Sequence, residues 1–246
     1  MNYNQYLARL TMRNLILGVI MVKINDANLV KQFILNSHYL AQFSTDITAQ
    51  TQLIKFPAQS FIVKESATPE YIYYLVKGRA KLYDVMANGK VTLIDFFTPP
   101  CFIGEMELIN PASTLYSVQA IEDCWCLAVS IRDNQSQLLN DPVFLKHVCI
   151  YLAQKNTRNI ETASQNQSFS LAERLAAFIL LTTYHHHYAE KHTQVAAYLG
   201  VSYRHLLYVL AQFVKAGYLV KDKPGYLVTN GTALQELSRD VTNSNR

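Results

Sequence analysis

The chain has 246 residues, half of them hydrophobic and 16% charged, a composition that suits one large or two small globular domains and excludes a disordered or fibrous chain. The formal net charge of +4 is too mild to mark a nucleic-acid partner, but it is unevenly placed. Residues 1–167 carry 14 basic against 13 acidic side chains, whereas residues 168–246 carry eight against five, with five of the seven histidines, so the C-terminal third is the anion-facing part.

The first apolar run, Leu15 to Val22, is broken by Gly18 and falls well short of the ~20 residues a bilayer span needs. Lys23, Ile24, Asn25 and Asp26 follow where a leader would be cleaved, so a cytoplasmic chain without a membrane partner is expected. Met21 is an alternative natural start to Met1. Residues 1–27 read as an N-terminal extension, open to disorder, ahead of a domain over 28–140, a helix over 141–167 and a last domain over 168–246.

Residues 28–43 have roughly helical apolar spacing at 29, 30, 33, 34 and 40. From 51 to 129 the pattern becomes short β-rich runs: Gln52–Phe56, Ser60–Val63, Tyr71–Val76, Ala80–Val85, Val91–Phe96, Tyr116–Ile121 and Asp123–Val129. Pro57, Pro69, Lys77-Gly78 and Pro99-Pro100 separate them, and Asn88-Gly89 predicts a hairpin because both residues tolerate positive φ. Strands this short and this regular form a sandwich or barrel. After Asp141-Pro142, Val143–Ser164 lacks Gly and Pro and is long enough for about six helical turns. Phe144, Val148, Tyr151 and Leu152 share a stripe that is apolar early and amphipathic later. That suits a helix packed first on its own barrel and then on a partner helix, with Phe144, Val148 and Tyr151 as the candidate homodimer interface. Ser170 with Glu173 reads as a capping box that starts a helix from Leu171 to about Tyr184.

Residues 193–216, TQVAAYLGVSYRHLLYVLAQFVKA, carry the functional signal. Thr193 caps a short helix, Ala197 allows a close crossing, Gly200 makes the turn and Val201 plugs it. Ser202 caps a second helix, Tyr203–Ala216, stopped by Gly217. Leu206, Leu207, Leu210, Phe213 and Val214 form its inward stripe, leaving Tyr203, Arg204, His205 and Tyr208 facing outward near its N-terminal end. That is the end a helix-turn-helix places in the major groove of double-stranded DNA. Tyr218–Val228 forms a hairpin about Lys223-Pro224-Gly225, a wing that sets Lys221 and Lys223 beside phosphates. Ser202, Tyr203, Arg204, His205, Tyr208, Lys221 and Lys223 are thus the DNA-binding candidates. The competing reading is an ordinary helical hairpin with Arg204 and His205 merely solvated.

From about residue 28 the chain resembles the Crp/Fnr family of bacterial regulators. Phe102-Ile103-Gly104-Glu105, the long helix from 142 and the C-terminal helix-turn-helix carry that resemblance, and the run Gly200–Leu207 is similar to one branch in particular. The resemblance implies an α+β fold: a cyclic-nucleotide-binding-type β-roll, a long dimerisation helix and a winged helix-turn-helix. It also implies a homodimer, a near-palindromic DNA site and contact with RNA polymerase. It places an effector pocket at Gly104, Glu105, Thr114, Leu115 and Tyr116, and there the sequence departs from the pattern. Members that bind cyclic AMP hold its phosphate with an Arg-Ser or Arg-Thr pair, where this chain has Thr114 and Leu115. No Arg or Lys occurs from 91 to 131. A cyclic phosphate entering such a site would lack a cation to offset its desolvation, and Glu105 would repel it. The positions that would meet the purine fall near Asn159 and Ile160, which are also not the usual hydroxyl residues. Cyclic AMP is therefore not expected to bind, Glu105 reads as structural, and an unidentified effector or a constitutively active roll stays open. The family helix carries Arg, Glu and Arg where this one has Tyr203, Arg204 and Tyr208, so its half-site should not transfer.

Cys101, Cys124, Cys126 and Cys149 are too late in the chain for the N-terminal cysteine cluster that oxygen-sensing members use. Cys124 and Cys126 share one strand face and read as core thiols, with a redox role as the alternative. His185-His186-His187 with His192 reads as a polar helix end and loop, since consecutive helical histidines diverge by ~100°, and no metal is expected. A metal-dependent barrel enzyme fails because no histidine lies between His38 and His147.

Overall fold

The computed structural model describes residues 20–65, 67–85, 91–112 and 116–243. The chain divides into two compact units. The first takes the described residues up to Val85 with Asp95–Leu152, and the second takes the rest, so the long helix contributes to both.

The first unit is a roll of two antiparallel sheets. One sheet runs β1 (Val22–Ile24), β2 (Thr51–Phe56), β9 (Cys124–Ser130), β4 (Tyr71–Lys77), β7 (Cys101–Ile103). The other runs β3 (Phe61–Val63), β8 (Ser117–Ala120), β5 (Ala80–Val85), β6 (Val91–Phe97). Leu53, Ile54 and Phe56 of β2 face Leu127, Cys126 and Cys124 of β9, and all six are fully buried. The sequence places seven of these strands to within a residue or so. It misses β1 and β7, each three residues long. β1 corrects the reading of residues 1–27 as an extension: Val22–Ile24 pair with Leu53–Lys55, so the extension's described end belongs to the first sheet. The Asn88-Gly89 turn lies outside the described residues, although its flanking strands β5 and β6 are neighbours.

Helix α1 (Ala27–Asn36) is capped by Asp26 and ends before His38, whose φ of 52° cannot continue a helix. A single 3₁₀ turn, Leu40–Gln42, follows. A short helix α2 (Glu105–Ile109) starts from Gly104 at φ 93°, and α3 (Ile131–Leu139) follows β9. The long helix α4 (Pro142–Ser168) begins with Pro at its first position. Asp141 caps it: one carboxylate oxygen accepts from the N–H groups of Val143 and Phe144 at 2.9 and 3.0 Å, and the other accepts from Ser44 N–H at 2.8 Å. Burial alone would raise this carboxyl, but the Phe144, Ser44 and Val143 donors outweigh it and hold the group below its ordinary value.

Phe144 stacks on Phe43 at 5.4 Å and meets Phe102 edge-on at 5.6 Å, while Tyr151 meets Phe102 at 6.2 Å. Phe144 and Val148 are fully buried and Tyr151 is 9% exposed. This corrects the seam read from sequence: Phe144, Val148 and Tyr151 fix the start of α4 to its own roll and do not face outward. Among the residues α4 exposes, Lys146, Ile150, Ala153, Thr157, Ile160 and Ser164 are spaced alternately four and three apart.

In the second unit α5 (Leu171–Thr182) opens with the expected capping box. Glu173 N–H donates to the Ser170 hydroxyl, and Ser170 N–H donates to the Glu173 carboxylate at 2.8 Å. Helices α6 (His192–Tyr198), α7 (Tyr203–Lys215), α8 (Gly231–Leu237) and α9 (Arg239–Asn243) complete the unit. They accompany a three-stranded sheet of order β10 (His187–Tyr188), β12 (Gly225–Val228), β11 (Leu219–Asp222).

Candidate nucleic-acid interface

Helices α6 and α7 are joined by Gly200, whose φ of 64° makes the turn, and Val201 N–H donates back to the Ala196 carbonyl at 2.9 Å. The Ser202 hydroxyl accepts from His205 N–H at 3.2 Å and so caps α7. Gly217, at φ 75°, lies just beyond its end. Three details differ from the sequence reading. Helix α6 begins at His192, with Lys191 at the cap position, so Thr193 lies inside the helix and caps nothing. Ala196 is the buried small residue of α6, while Ala197 is exposed. The buried stripe of α7 is Leu206, Val209, Leu210 and Phe213, whereas Leu207 is 36% exposed and Val214 is half-buried. Rotating the stripe by this much leaves Ser202, Tyr203, Arg204, His205 and Tyr208 all exposed, with Tyr203 at 49% and Tyr208 at 62%. Leu207 joins that face, which sequence reasoning missed because adjacent leucines at 206 and 207 both satisfy a helical stripe.

The wing is set by backbone contact. A Cβ on Gly225 would lie 2.1 Å from the Tyr188 carbonyl oxygen, so only glycine lets β12 approach β10 this closely. Lys221 and Lys223 are exposed on the wing. Behind the turn lies Arg174, 8% exposed. It donates from Nε to the Phe169 carbonyl at 3.0 Å and through a terminal nitrogen to Asn166 Oδ1 and the Leu199 carbonyl, both at 2.6 Å. It thereby ties the end of α6 to the α4–α5 junction. Sequence reasoning missed this residue too. Its signal was available: an arginine in the apolar run Leu171–Leu181 with Ser170 and Phe178, not acids, four residues away.

The histidines diverge. His185 and His186 sit in a loop at positive φ, His187 lies in β10 with Nε2 3.7 Å from Asp222, and His192 starts α6. Among the described residues no group of three His, Cys, Asp or Glu is placed to hold a metal ion. Cys101, Cys124 and Cys126 are buried and Cys149 is exposed. Burial pushes the Cys124 thiol up to about 12 and the Cys126 thiol well above its ordinary value. In the roll, Gly104 packs so closely that a Cβ would come 3.1 Å from the Tyr71 carbonyl oxygen. Glu105 is 2% exposed and Tyr116 is half-buried. Thr114 and Leu115 lie outside the described residues. No helix among the described residues is long and apolar enough to cross a membrane.

A two-sheet roll, a long helix and a winged helix-turn-helix in one chain define a class: a regulator of transcription rather than an enzyme. The model of the cyclic nucleotide-binding domain family matches residues 53–141. The chain is 53% identical over 204 residues to the regulatory protein YeiL of Escherichia coli O157:H7, covering 83% of this chain and 93% of that protein. Two crystal structures of transcriptional regulators from Thermus thermophilus, one of the CRP and one of the CRP/FNR family, match with TM-scores of 0.56. They are 16% and 20% identical, cover 75% and 76% of this chain, and are themselves covered to 96% and 98%. At that identity the likeness is of fold. The chain belongs to the Crp/Fnr family of transcription regulators, and within it is similar to YeiL.

Proposed function

We propose that the chain binds double-stranded DNA sequence-specifically as a homodimer, at a near-palindromic site, and does not respond to cyclic AMP. The observation that carries this is the exposed N-terminal face of α7. Tyr203, Arg204, His205 and Tyr208 stand exposed on a helix whose other face is locked by Leu206, Val209, Leu210 and Phe213. Of the four, only Arg204 has a permanent charge and a fork that matches guanine O6 and N7. Lys221 and Lys223 supply sequence-independent phosphate contacts. Two-fold symmetry follows if the exposed Lys146-to-Ser164 stripe of α4 packs on its copy, and a symmetric dimer reads a symmetric site. Contact with RNA polymerase rests on family resemblance.

In the roll, the absence of any basic side chain over 91–131 argues against a cyclic phosphate. An always-active roll is the reading to set against an unidentified effector. The redox alternative gains nothing from Cys124 and Cys126, since protonated thiols are poor nucleophiles. The test is duplex selection from a random pool followed by titration. Arg204→Ala should weaken the selected site by about 1–3 kcal/mol and relax one base step. Lys221→Gln or Lys223→Gln should weaken all sequences alike and flatten the salt dependence by about one per lost contact. Equal weakening of selected and random DNA by Arg204→Ala would make Arg204 a phosphate clamp.

A further inference from the structure

Two leucines stand side by side on α7, and the core takes one of them. Leu206 is fully buried, whereas Leu207 is 36% exposed. Tyr203 and Tyr208 are 49% and 62% exposed, and Ala211, one turn beyond Leu207, is exposed as well. Residues three and four apart on a helix are neighbours, so Leu207 adjoins Tyr203, Arg204 and Ala211 on one face. An apolar patch therefore lies across the face that carries Arg204. Helix propensity does not call for it: alanine, lysine or glutamine would hold this exposed turn about as well.

A leucine side chain carries no hydrogen-bonding group. Set against a polar base edge it would strip water from an N–H or C=O and return no hydrogen bond, which disfavours that base. The major groove presents one apolar group, the C5-methyl of thymine, and burying Leu207 against it carries no such cost. Gain and penalty thus select the same base. Arg204 precedes Leu207 by three residues, a rise of ~4.5 Å, a little over the ~3.4 Å of one base step.

We propose that Leu207 is a specificity-determining residue that reads the C5-methyl group of a thymine in each half-site. The spacing places that thymine within about two base pairs of the step that Arg204 reads. This role rests on the DNA-binding reading and adds a chemical demand to it. The half-site must carry a methyl group at that pair, and not merely the hydrogen-bonding edge of an A·T pair.

The experiment uses the full chain and the duplex selected from a random pool. Each thymine of the half-site is replaced in turn by uracil, which removes one methyl group and keeps the base pair. One such change, close to the step relaxed by Arg204→Ala, should weaken wild type about fourfold, the worth of one buried methyl. The same change should leave Leu207→Ala unaffected, and reselection with that variant should show no thymine preference at that pair. Because Leu206 fills the core and Leu207 does not, Leu207→Ala should bind random duplex as wild type does. Loss of random binding would make Leu207 a structural residue and overturn the role. Uracil costs that are equal in wild type and Leu207→Ala would give the methyl to another side chain or to DNA shape, which also overturns it. So would a half-site with no thymine in reach, or one in which uracil costs nothing. Failure of the wild-type chain to retain any duplex is a separate result: it ends the DNA-binding reading, and this role with it.

Discussion

The proposed dimer seam can be tested on one residue, Ile160. It is 60% exposed on α4, and Ile150, ten residues earlier on the same stripe, is 45% exposed. An isoleucine this open presents roughly 110 Å² of accessible surface, so burying two symmetry-related copies contributes about 5 kcal/mol at ~25 cal/mol per Å². Ile150 adds about 4 kcal/mol by the same arithmetic, against association costs of roughly 4–15 kcal/mol. The two isoleucines therefore carry much of the balance. Ile160→Asp removes its share and sets two carboxylates against each other across the two-fold axis, so the dissociation constant should rise at least ~10³-fold. Because Ile160 touches little within its own protomer, the thermal midpoint of the monomer should hardly change. Sedimentation or light scattering at micromolar concentration should show a folded monomer. Tyr151→Asp is the contrasting variant: it puts a charge against Phe102 and should unfold the roll, which says nothing about the seam. An unchanged dimer mass for Ile160→Asp would refute the stripe and move the seam off this face of α4.

Asp141→Ala should destabilise the roll by about 2–3 kcal/mol, read by urea denaturation, because it removes a helix cap and strands Ser44 N–H. Since the folded carboxyl lies below its ordinary value, this contribution is present above the unfolded pKa of ~3.9 and lost as pH falls through the folded one. Wild type and Asp141→Ala should therefore converge in strong acid; a gap that persists there would place the effect outside the carboxylate's charge. Gly225→Ala forces β12 away from the Tyr188 carbonyl and should lower DNA affinity for selected and random duplex alike, whereas unchanged affinity would remove the wing from the interface. Calorimetry with cyclic AMP should show no binding up to millimolar ligand, and micromolar binding would mean that backbone N–H groups replace the missing cation.

What the sequence made legible were features with a local physical cause. Alternation exposed the longer strands, Ser170 with Glu173 and Ser202 exposed the caps, and Gly200 exposed the turn. What it hid were choices between equally good local solutions. Leu206 and Leu207 both fit an inward stripe on α7, and only docking against the rest of the unit selects Leu206 with Val209. The apolar start of α4 suited either its own roll or a second protomer, and only the fold, which brings Phe43 and Phe102 to Phe144, selects the roll.

The two units also differ in how they carry charge. Among the described residues of the roll, the buried side of the effector region offers Glu105 and no basic group over 91–112 and 116–131. The second unit instead carries exposed Lys221 and Lys223 on the wing, beside the helix proposed to read DNA. A roll that keeps the family's shape without a cation in its effector region would reject a cyclic phosphate.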